Sequence, residues 1–269
     1  MQKKKKYYLY KLFIKFFLCV VFVFLFNVQI SSAAYIMGTY TGGNGASWNS
    51  GGNHQFSTSN MPGGYEKAIL WGISSGNEFL IGADAAYSTK YCNGWWIPGD
   101  GGHLNTIWNI PSGGSNAQFN GSNLSENKGY IIVTSSSSVN GTFGFMTTSA
   151  YPIYILSVSG GQGYYDSGYI TISLTLSGAK CAEEYVLVRY VINGNWSGTH
   201  NLVQATGSDT NYSCSIYYTN LGDSIVWYAL TSTLSNIPSD TDLLTLSAIT
   251  NGGANYTFWV IDTDTTAPI

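Results

Sequence analysis

Short segments rich in Val, Ile, Tyr, Phe and Thr recur along this 269-residue chain, and Gly, Ser, Asn and Asp separate them. This alternation of strand-forming and turn-forming residues is typical of β-sandwiches. No window keeps an apolar face at helical spacing for three turns, so helices are not expected. The chain is therefore predicted to be all-β. Strands are expected at residues 65–72, 78–83, 129–134, 141–147, 152–158, 169–176, 185–191, 201–205, 211–217, 224–232 and 256–261.

A glycine-rich break divides these segments into two groups. Residues 159–163 read Ser-Gly-Gly-Gln-Gly, a composition that favours chain freedom over regular structure. The chain on each side is long enough for a hydrophobic core of its own. We therefore predict two consecutive β-sandwich modules, at 35–158 and 164–261. Residues 262–269, Asp-Thr-Asp-Thr-Thr-Ala-Pro-Ile, are interpreted as a linker to a further module, with a C-terminal tail as the alternative.

The N-terminal residues show the three parts of an export signal. Lys3 to Lys6 carry positive charge, Phe16 to Phe26 is an apolar run, and Ser32-Ala33-Ala34 is a small-residue cleavage site. The run holds eleven residues, whereas a helix needs about 20 to span a bilayer. We therefore predict a signal peptide over 1–34, no transmembrane segment after its cleavage, and a secreted or cell-surface protein. A signal anchor is the alternative interpretation.

Removal of the signal peptide would change the charge of the chain. Six of the 11 basic residues precede residue 35, and all 14 acidic residues follow it, so the mature part would carry a net charge of −9. An acidic surface of this kind repels phosphate backbones. Nucleic acid is therefore not expected as a partner.

Three cysteines remain in the mature part: Cys92, Cys181 and Cys214. No two of them have the CxxC spacing of zinc sites, so no metal ligand is assigned to them. Cys181 and Cys214 both lie in the second module, and export leads to an oxidising compartment. We therefore predict that these two form the only disulfide and that Cys92 stays a thiol.

Candidate catalytic and metal-binding residues are few. Gly72 to Gly76 reads GISSG and matches the nucleophile-elbow pattern, but a strand follows where the motif requires a helix, so a turn is predicted. The three histidines lie in no metal-binding motif. Two pairs, Asp240 with Asp242 and Asp262 with Asp264, have the spacing of calcium ligands without the full loop signature. No catalytic residue and no cofactor are assigned, with structural calcium as the alternative.

An aromatic loop is the strongest candidate for ligand binding. Residues 90–100 read KYCNGWWIPGD, and adjacent tryptophans in a Gly/Pro-rich loop can both be exposed. Flat aromatic faces pack on sugar rings while polar neighbours bind the hydroxyls. A buried role in the sandwich core is the alternative for either tryptophan. The predicted carbohydrate contacts are Trp95 and Trp96, with Tyr91 as a third aromatic, and Lys90, Asn93 and Asp100 as the polar groups.

The second half carries a recognisable pattern. A strand ending in Val188-Arg189-Tyr190 precedes a turn with Trp196, a Gln204-Ala205-Thr206-Gly207 hairpin, and an aromatic strand from Trp227 to Ser232. About 100 residues with this order resemble the immunoglobulin-like accessory domain beside the catalytic barrel of secreted bacterial α-amylase-type enzymes. The resemblance implies an immunoglobulin-like sandwich for the second module, and a structural role for Arg189, whose guanidinium would reach carboxylates or aromatic rings across the sheet.

Residues 35–157 resemble the module that precedes this domain in some of those proteins. The resemblance lies in Glu78-Phe79, the segments 105–108 (NTIW), 116–119 (NAQF) and 143–146 (FGFM), and the closing residues 148–152. Such modules are regarded as carbohydrate-binding. The resemblance therefore implies a non-catalytic accessory protein of glycoside hydrolases that binds polysaccharide or oligosaccharide, above all an α-glucan such as starch. We also predict that the protein is a monomer. A structural or adhesive surface protein without sugar binding is the alternative, and catalysis would belong to a region beyond residue 269.

Overall fold

The described part of the chain consists of β-strands and connecting turns, and it contains no helix. The all-β prediction is therefore confirmed. No segment of these residues is a helix that could cross a membrane. The computed structural model describes residues 34–46, 48, 54–91, 96–98, 106–109, 115–120, 129–135, 142–148, 153–160, 163–165, 168–194, 196, 200–218, 220–237 and 242–261. The predicted signal peptide, except Ala34, and the predicted linker 262–269 lie outside these ranges.

Two sheets are built from the first half of the chain. The first sheet has the order β1 (Tyr35–Gly38), β4 (Glu78–Gly82), β8 (Ala117–Asn120) and β6 (Trp96–Pro98), and β5 (Lys90–Tyr91) also pairs with β4. The second sheet has the order β2 (Gly42–Gly43), β3 (Tyr65–Trp71), β9 (Gly129–Ser135), β10 (Thr142–Thr148) and β7 (Thr106–Asn109).

Two further sheets are built from the second half. The third sheet has the order β11 (Ile155–Ser159), β13 (Tyr169–Leu176), β17 (Asn211–Tyr217) and β16 (Thr206–Ser208). The fourth has the order β12 (Gly163–Tyr165), β20 (Tyr256–Val260), β18 (Ser224–Ser232), β14 (Tyr185–Ile192) and β15 (Asn201–Gln204), and β19 (Thr245–Ile249) also pairs with β18.

Alternating burial explains why these segments pack as layers. In β13, Ile170, Ile172, Leu174 and Leu176 are buried while the residues between them are exposed. Side chains of a strand point to opposite faces in turn, so one face of β13 reaches the core and the other meets solvent. The buried face packs with side chains of the fourth sheet in one apolar cluster. A separate cluster takes its side chains from the first and second sheets. Both pairs of sheets therefore have the layered form of a sandwich.

Two details of chain organisation differ from the sequence predictions. Strand β11, which we assigned to the first module, pairs with β13 and belongs to the third sheet. Residues 204–207 are not a hairpin, because β15 lies in the fourth sheet and β16 in the third. Ala205 connects the two sheets, and its side chain is buried, so a small residue suits this crossing. The hairpin lies one step later, between β16 and β17, where Asp209 has a positive φ of 52°.

A third apolar cluster covers the outer face of the fourth sheet. Leu187, Tyr228 and Leu230 point outward from β14 and β18 into this cluster, because their neighbours in sequence fill the inner core. Residues of the first half, including Met61 and Ile69, pack against it. Strand β18 is consequently buried on both faces over most of its length. The third cluster therefore joins side chains from both halves of the chain.

Candidate ligand-binding site

The predicted aromatic loop is only partly within the described residues. Asn93, Trp95 and Asp100 lie outside them. The backbone of Trp96 belongs to β6, where it pairs with Gln118 of β8. This part of the segment is thus a strand rather than the loop that we expected. The assignment of Trp95 and Trp96 to sugar binding stays a prediction.

Lys90 and Tyr91 form β5, which pairs with the end of β4. The Lys90 side chain is exposed, but Tyr91 is only 4% exposed and packs in the cluster between the first and second sheets. A ring in that position offers no open face to a sugar. The prediction that Tyr91 serves as a third platform aromatic is therefore wrong, because this tyrosine is needed to fill the core.

The predicted disulfide is also not formed. Cys181 and Cys214 are both thiols. Cys214 points from the middle of β17 into the core, where burial raises its thiol pKa to about 12. Cys181 lies in the turn before β14, and its Sγ donates a hydrogen bond to Oε2 of Glu184 at 3.1 Å. The two sulfurs thus have different surroundings, and Cys92 lies outside the described residues.

The GISSG segment has the structure predicted from its context. It is the connection between β3 and β4, and Gly72 and Gly76 both have positive φ values, of 64° and 89°. Backbone bonds within this connection, such as that from Asn77 N to Ser74 O at 3.0 Å, close a tight turn. A strand and not a helix follows the serines, so the segment lacks the geometry of a nucleophile elbow.

A cavity of about 290 Å³ lies between the outer face of the fourth sheet and the chain that leads into β3. Its volume is close to the lower end of the range of small-molecule sites, roughly 300 Å³. We call it the Trp196 pocket. Its wall and floor include the side chains of Tyr65, Arg189, Trp196, His200, Tyr228 and Asp242.

Strand pairing brings the polar floor of the Trp196 pocket together. Arg189 of β14 and Tyr228 of β18 are cross-strand partners. Both point away from the inner core, because Val188 and Trp227 beside them fill it. Asp242 lies in the turn before β19, and the backbone N–H of Thr245 donates to its carbonyl oxygen at 3.0 Å. Three separate segments therefore converge on one point of the fourth sheet.

The carboxylate of Asp242 is fully engaged in this floor. Arg189 Nη1 donates to Asp242 Oδ1 at 3.0 Å, as expected for an arginine that reaches a carboxylate across the sheet. The Tyr228 hydroxyl lies 2.7 Å from Oδ1 and 2.6 Å from Oδ2, and Thr245 Oγ1 donates to Oδ1 at 3.3 Å. Burial, and then the Asp242 charge, raise the pKa of Tyr228 well above its usual range, whereas Arg189 opposes this shift. Tyr228 is therefore a neutral hydrogen-bond donor.

The hydrogen bonds of Asp242 concern the alternative prediction of a structural calcium site. Asp242 was half of one candidate aspartate pair, and its oxygens already accept hydrogen bonds from Arg189, Tyr228 and Thr245. Its predicted partner Asp240 lies outside the described residues. Within the described ranges, no group of three or more His, Cys, Asp or Glu side chains is placed to hold a metal ion.

Aromatic rings form the wall of the Trp196 pocket. The Trp196 ring lies 5.6 Å from that of Tyr228 and 4.9 Å from the imidazole of His200, measured between centroids. His200 Nε2 lies 2.5 Å from the Trp196 carbonyl oxygen, so this nitrogen carries the hydrogen and donates it. His200 Nδ1 is buried and has no hydrogen-bond partner among the described residues. In the neutral imidazole, Nδ1 is then a vacant acceptor.

The Trp196 pocket combines two chemical characters. Trp196 and Tyr65 are half-buried aromatic side chains on its wall. Arg189 and Asp242 below them neutralise each other. Such a site suits an uncharged ligand that has one flat apolar face and several hydroxyl groups. The geometry offers recognition by stacking and hydrogen bonding, and Asp242 has no oxygen left without a partner.

The residues of the Trp196 pocket could not be grouped from the sequence. Trp196 and Arg189 belong to the pattern in the second half of the chain, whereas nothing in the sequence connects Tyr65, His200 and Asp242 with them. These residues meet because the third cluster packs β3 against the fourth sheet. The one usable signal was Arg189 itself, which is the only arginine of the chain.

Comparison with protein-family models gives no match for this chain. Comparison with curated proteins also gives no match.

Proposed function

We propose that this chain is a secreted, non-catalytic carbohydrate-binding protein and that the Trp196 pocket contacts the sugar. The observation that carries the proposal is the placement of Trp196 and Tyr65 beside a buried, charge-neutral group of hydrogen-bonding side chains. Sugar rings need an aromatic surface for their C–H faces and fixed polar groups for their hydroxyls. Both requirements are met within one small cavity.

The charge balance favours a neutral ligand over an anionic one. Arg189 is the cationic side chain in the pocket that could attract an anion, but Asp242 Oδ1 lies 3.0 Å from its Nη1 and neutralises its charge. The predicted mature chain carries a net charge of −9, which disfavours polyanions generally. Neutral glucans meet both conditions, and the sequence resemblance favours an α-glucan such as starch.

The function of the pocket is binding rather than hydrolysis. A glycosidase needs a carboxylate that is able to attack or to transfer a proton. Asp242 is held by Arg189, Tyr228 and Thr245 and supplies no such group. The immunoglobulin-like character of the second module, and its relation to glycoside hydrolases, belong to the same proposal and rest on the residues around Arg189 and Trp196.

Retention on insoluble polysaccharides tests the proposal. The mature chain is mixed with starch, cellulose and chitin, and bound protein is measured after washing. We expect retention on starch, and we expect Trp196→Ala to weaken binding by about 1 to 3 kcal/mol, as truncation of an aromatic anchor does. Tyr217→Ala is the matched control, because Tyr217 is 73% exposed and belongs to the third sheet.

Two further variants decide between sites. If Trp95→Ala and Trp96→Ala abolish retention while Trp196→Ala does not, the sugar contact lies in the segment that the sequence predicted. Melting temperatures are measured for all variants, so that loss of binding is separated from loss of folding. A parent chain that no polysaccharide retains would favour the structural or adhesive alternative.

A further inference from the structure

Glu66 is a carboxylate buried in an apolar core. It lies on β3 and shares its face with Ala68 and Leu70, which belong to the cluster between the first and second sheets. Its exposed fraction is 1%. Oε1 accepts a hydrogen bond from the backbone N–H of Ala34 at 2.8 Å, and Oε2 has no hydrogen-bond partner among the described residues. A single neutral donor compensates poorly for burying a carboxylate.

Ala34 is itself an integral part of the fold. Its side chain is 5% exposed and packs in the same apolar cluster. Its carbonyl oxygen accepts a hydrogen bond from the backbone N–H of Phe56 at 2.8 Å, and β1 begins at the next residue. Residue 34 thus has a defined place in the core, although it is the last residue of the predicted signal peptide.

The small-residue rule permits two cleavage positions. Signal cleavage needs a small residue directly before the cut and another two residues further upstream. Ala33 and Ser31 occupy these positions for a cut after Ala33, and Ala34 and Ser32 occupy them for a cut after Ala34. The later cut removes the buried methyl group of Ala34 and the donor to Glu66. The earlier cut keeps both, and it converts the amide N–H into an α-amino group, which is protonated near neutral pH because its ordinary pKa is about 8.

We propose that the signal peptide is cleaved between Ala33 and Ala34, and that the new α-ammonium of Ala34 forms a buried ion pair with Glu66. Water adds across the peptide bond, so Ala33 leaves with a carboxylate and Ala34 keeps the amine, which takes up a proton. The ammonium has three hydrogens where the peptide had one, so it can serve Oε1 and the vacant Oε2 together. The inference rests on the export that the proposed function includes, and it is independent of sugar binding.

The electrostatics of Glu66 agree with this pairing. Burial raises the pKa of its carboxyl to about 7, and the Ala34 N–H opposes the shift. A cation beside a buried carboxylate favours the ionised form. The fold therefore has a position for one positive charge at the nitrogen of residue 34.

The first experiment determines the N-terminus. The full chain is expressed with its own leader, and the exported protein is sequenced from its N-terminus and weighed intact. The expected first residue is Ala34. A chain that begins at Tyr35 or elsewhere, or that keeps its leader, would overturn the proposed cleavage. Polysaccharide retention is measured on the same protein and reports separately on the proposed function.

The second experiment isolates the ion pair. Chains that begin at Ala33, Ala34 and Tyr35 are released from a fusion partner without extra residues, each with Glu66 and with Glu66→Gln. The Ala34 chain is expected to have the highest melting temperature, roughly 5 °C above that of the Ala33 chain, a difference that a buried ion pair can produce in a chain of this length. Acetylation of the Ala34 amine should remove that advantage, and so should Glu66→Gln. If the Glu66→Gln chains do not fold, acetylation of the Ala34 chain that carries Glu66 tests the ion pair alone. Equal melting of the Ala33, Ala34 and acetylated chains would contradict the ion pair.

Discussion

At the scale of single residues, Arg189 carries a buried charge that a carboxylate balances. It is 2% exposed and its guanidinium pairs with Asp242. We predict that Arg189→Ala lowers the free energy of unfolding by about 3 to 5 kcal/mol, because it leaves the Asp242 carboxylate buried without its cation. Urea denaturation of the parent and the variant measures the difference.

The control for this prediction removes both charges. The double variant Arg189→Met with Asp242→Asn leaves no unpaired ion, so it should be more stable than Arg189→Ala alone. An Arg189→Ala chain with the same unfolding midpoint as the parent would show that the pair contributes nothing. The structure thus supports a structural role for Arg189, in line with its pairing across the sheet, and also places it at the floor of the Trp196 pocket.

At the scale of elements, β3 joins the two halves of the chain through a buried lysine. Lys67 Nζ donates a hydrogen bond to the carbonyl oxygen of Leu246, next to Thr245 in β19, and lies 5.9 Å from the centroid of the Tyr154 ring. Burial lowers the pKa of Lys67 to about 8, and the charge of Glu184 opposes this shift. Lys67 is therefore a titratable group within the third cluster.

The lowered pKa of Lys67 predicts that the free energy of unfolding depends on pH. Between pH 8 and about 10.5, the ordinary pKa of lysine, the unfolded chain binds a proton at residue 67 that the folded chain has lost. The free energy of unfolding of the parent should therefore rise with pH in this window relative to Lys67→Met, by on the order of 3 kcal/mol in total. Chemical denaturation of both chains at several pH values measures this. A difference that stays constant with pH would contradict the assignment.

The strands show which elements a sequence can predict. β13 was predicted with its observed bounds, because one face is buried and the other exposed, which leaves a clear alternation. β19 was missed because it shows no such alternation and, with five residues, is also short. β2 and β5 have two residues each, too few to form a pattern. β18 was also predicted with its observed bounds although both its faces are buried over most of its length, because nine residues in a row that suit a strand are a signal in themselves. Sequence patterns therefore identified strands that are long or that alternate clearly.

At the scale of the whole molecule, the contacts within the third cluster could not be predicted from the sequence. It brings Tyr65 of β3 near Trp196 and Asp242, residues that are far apart in the chain. Local patterns carry no information on such a contact between halves. The all-β class was accessible from composition and alternation, whereas the candidate site depends on how the sheets pack.

Titration calorimetry with a soluble maltooligosaccharide tests directly whether the Trp196 pocket binds sugar. We expect measurable binding by the parent and by Tyr217→Ala, and a Kd that is roughly 5- to 150-fold higher for Trp196→Ala. Trp196→Phe, which keeps an aromatic face, should lie between them. Absence of binding by the folded parent, or an unchanged Kd for a folded Trp196→Ala chain, would show that the Trp196 pocket is not the sugar site.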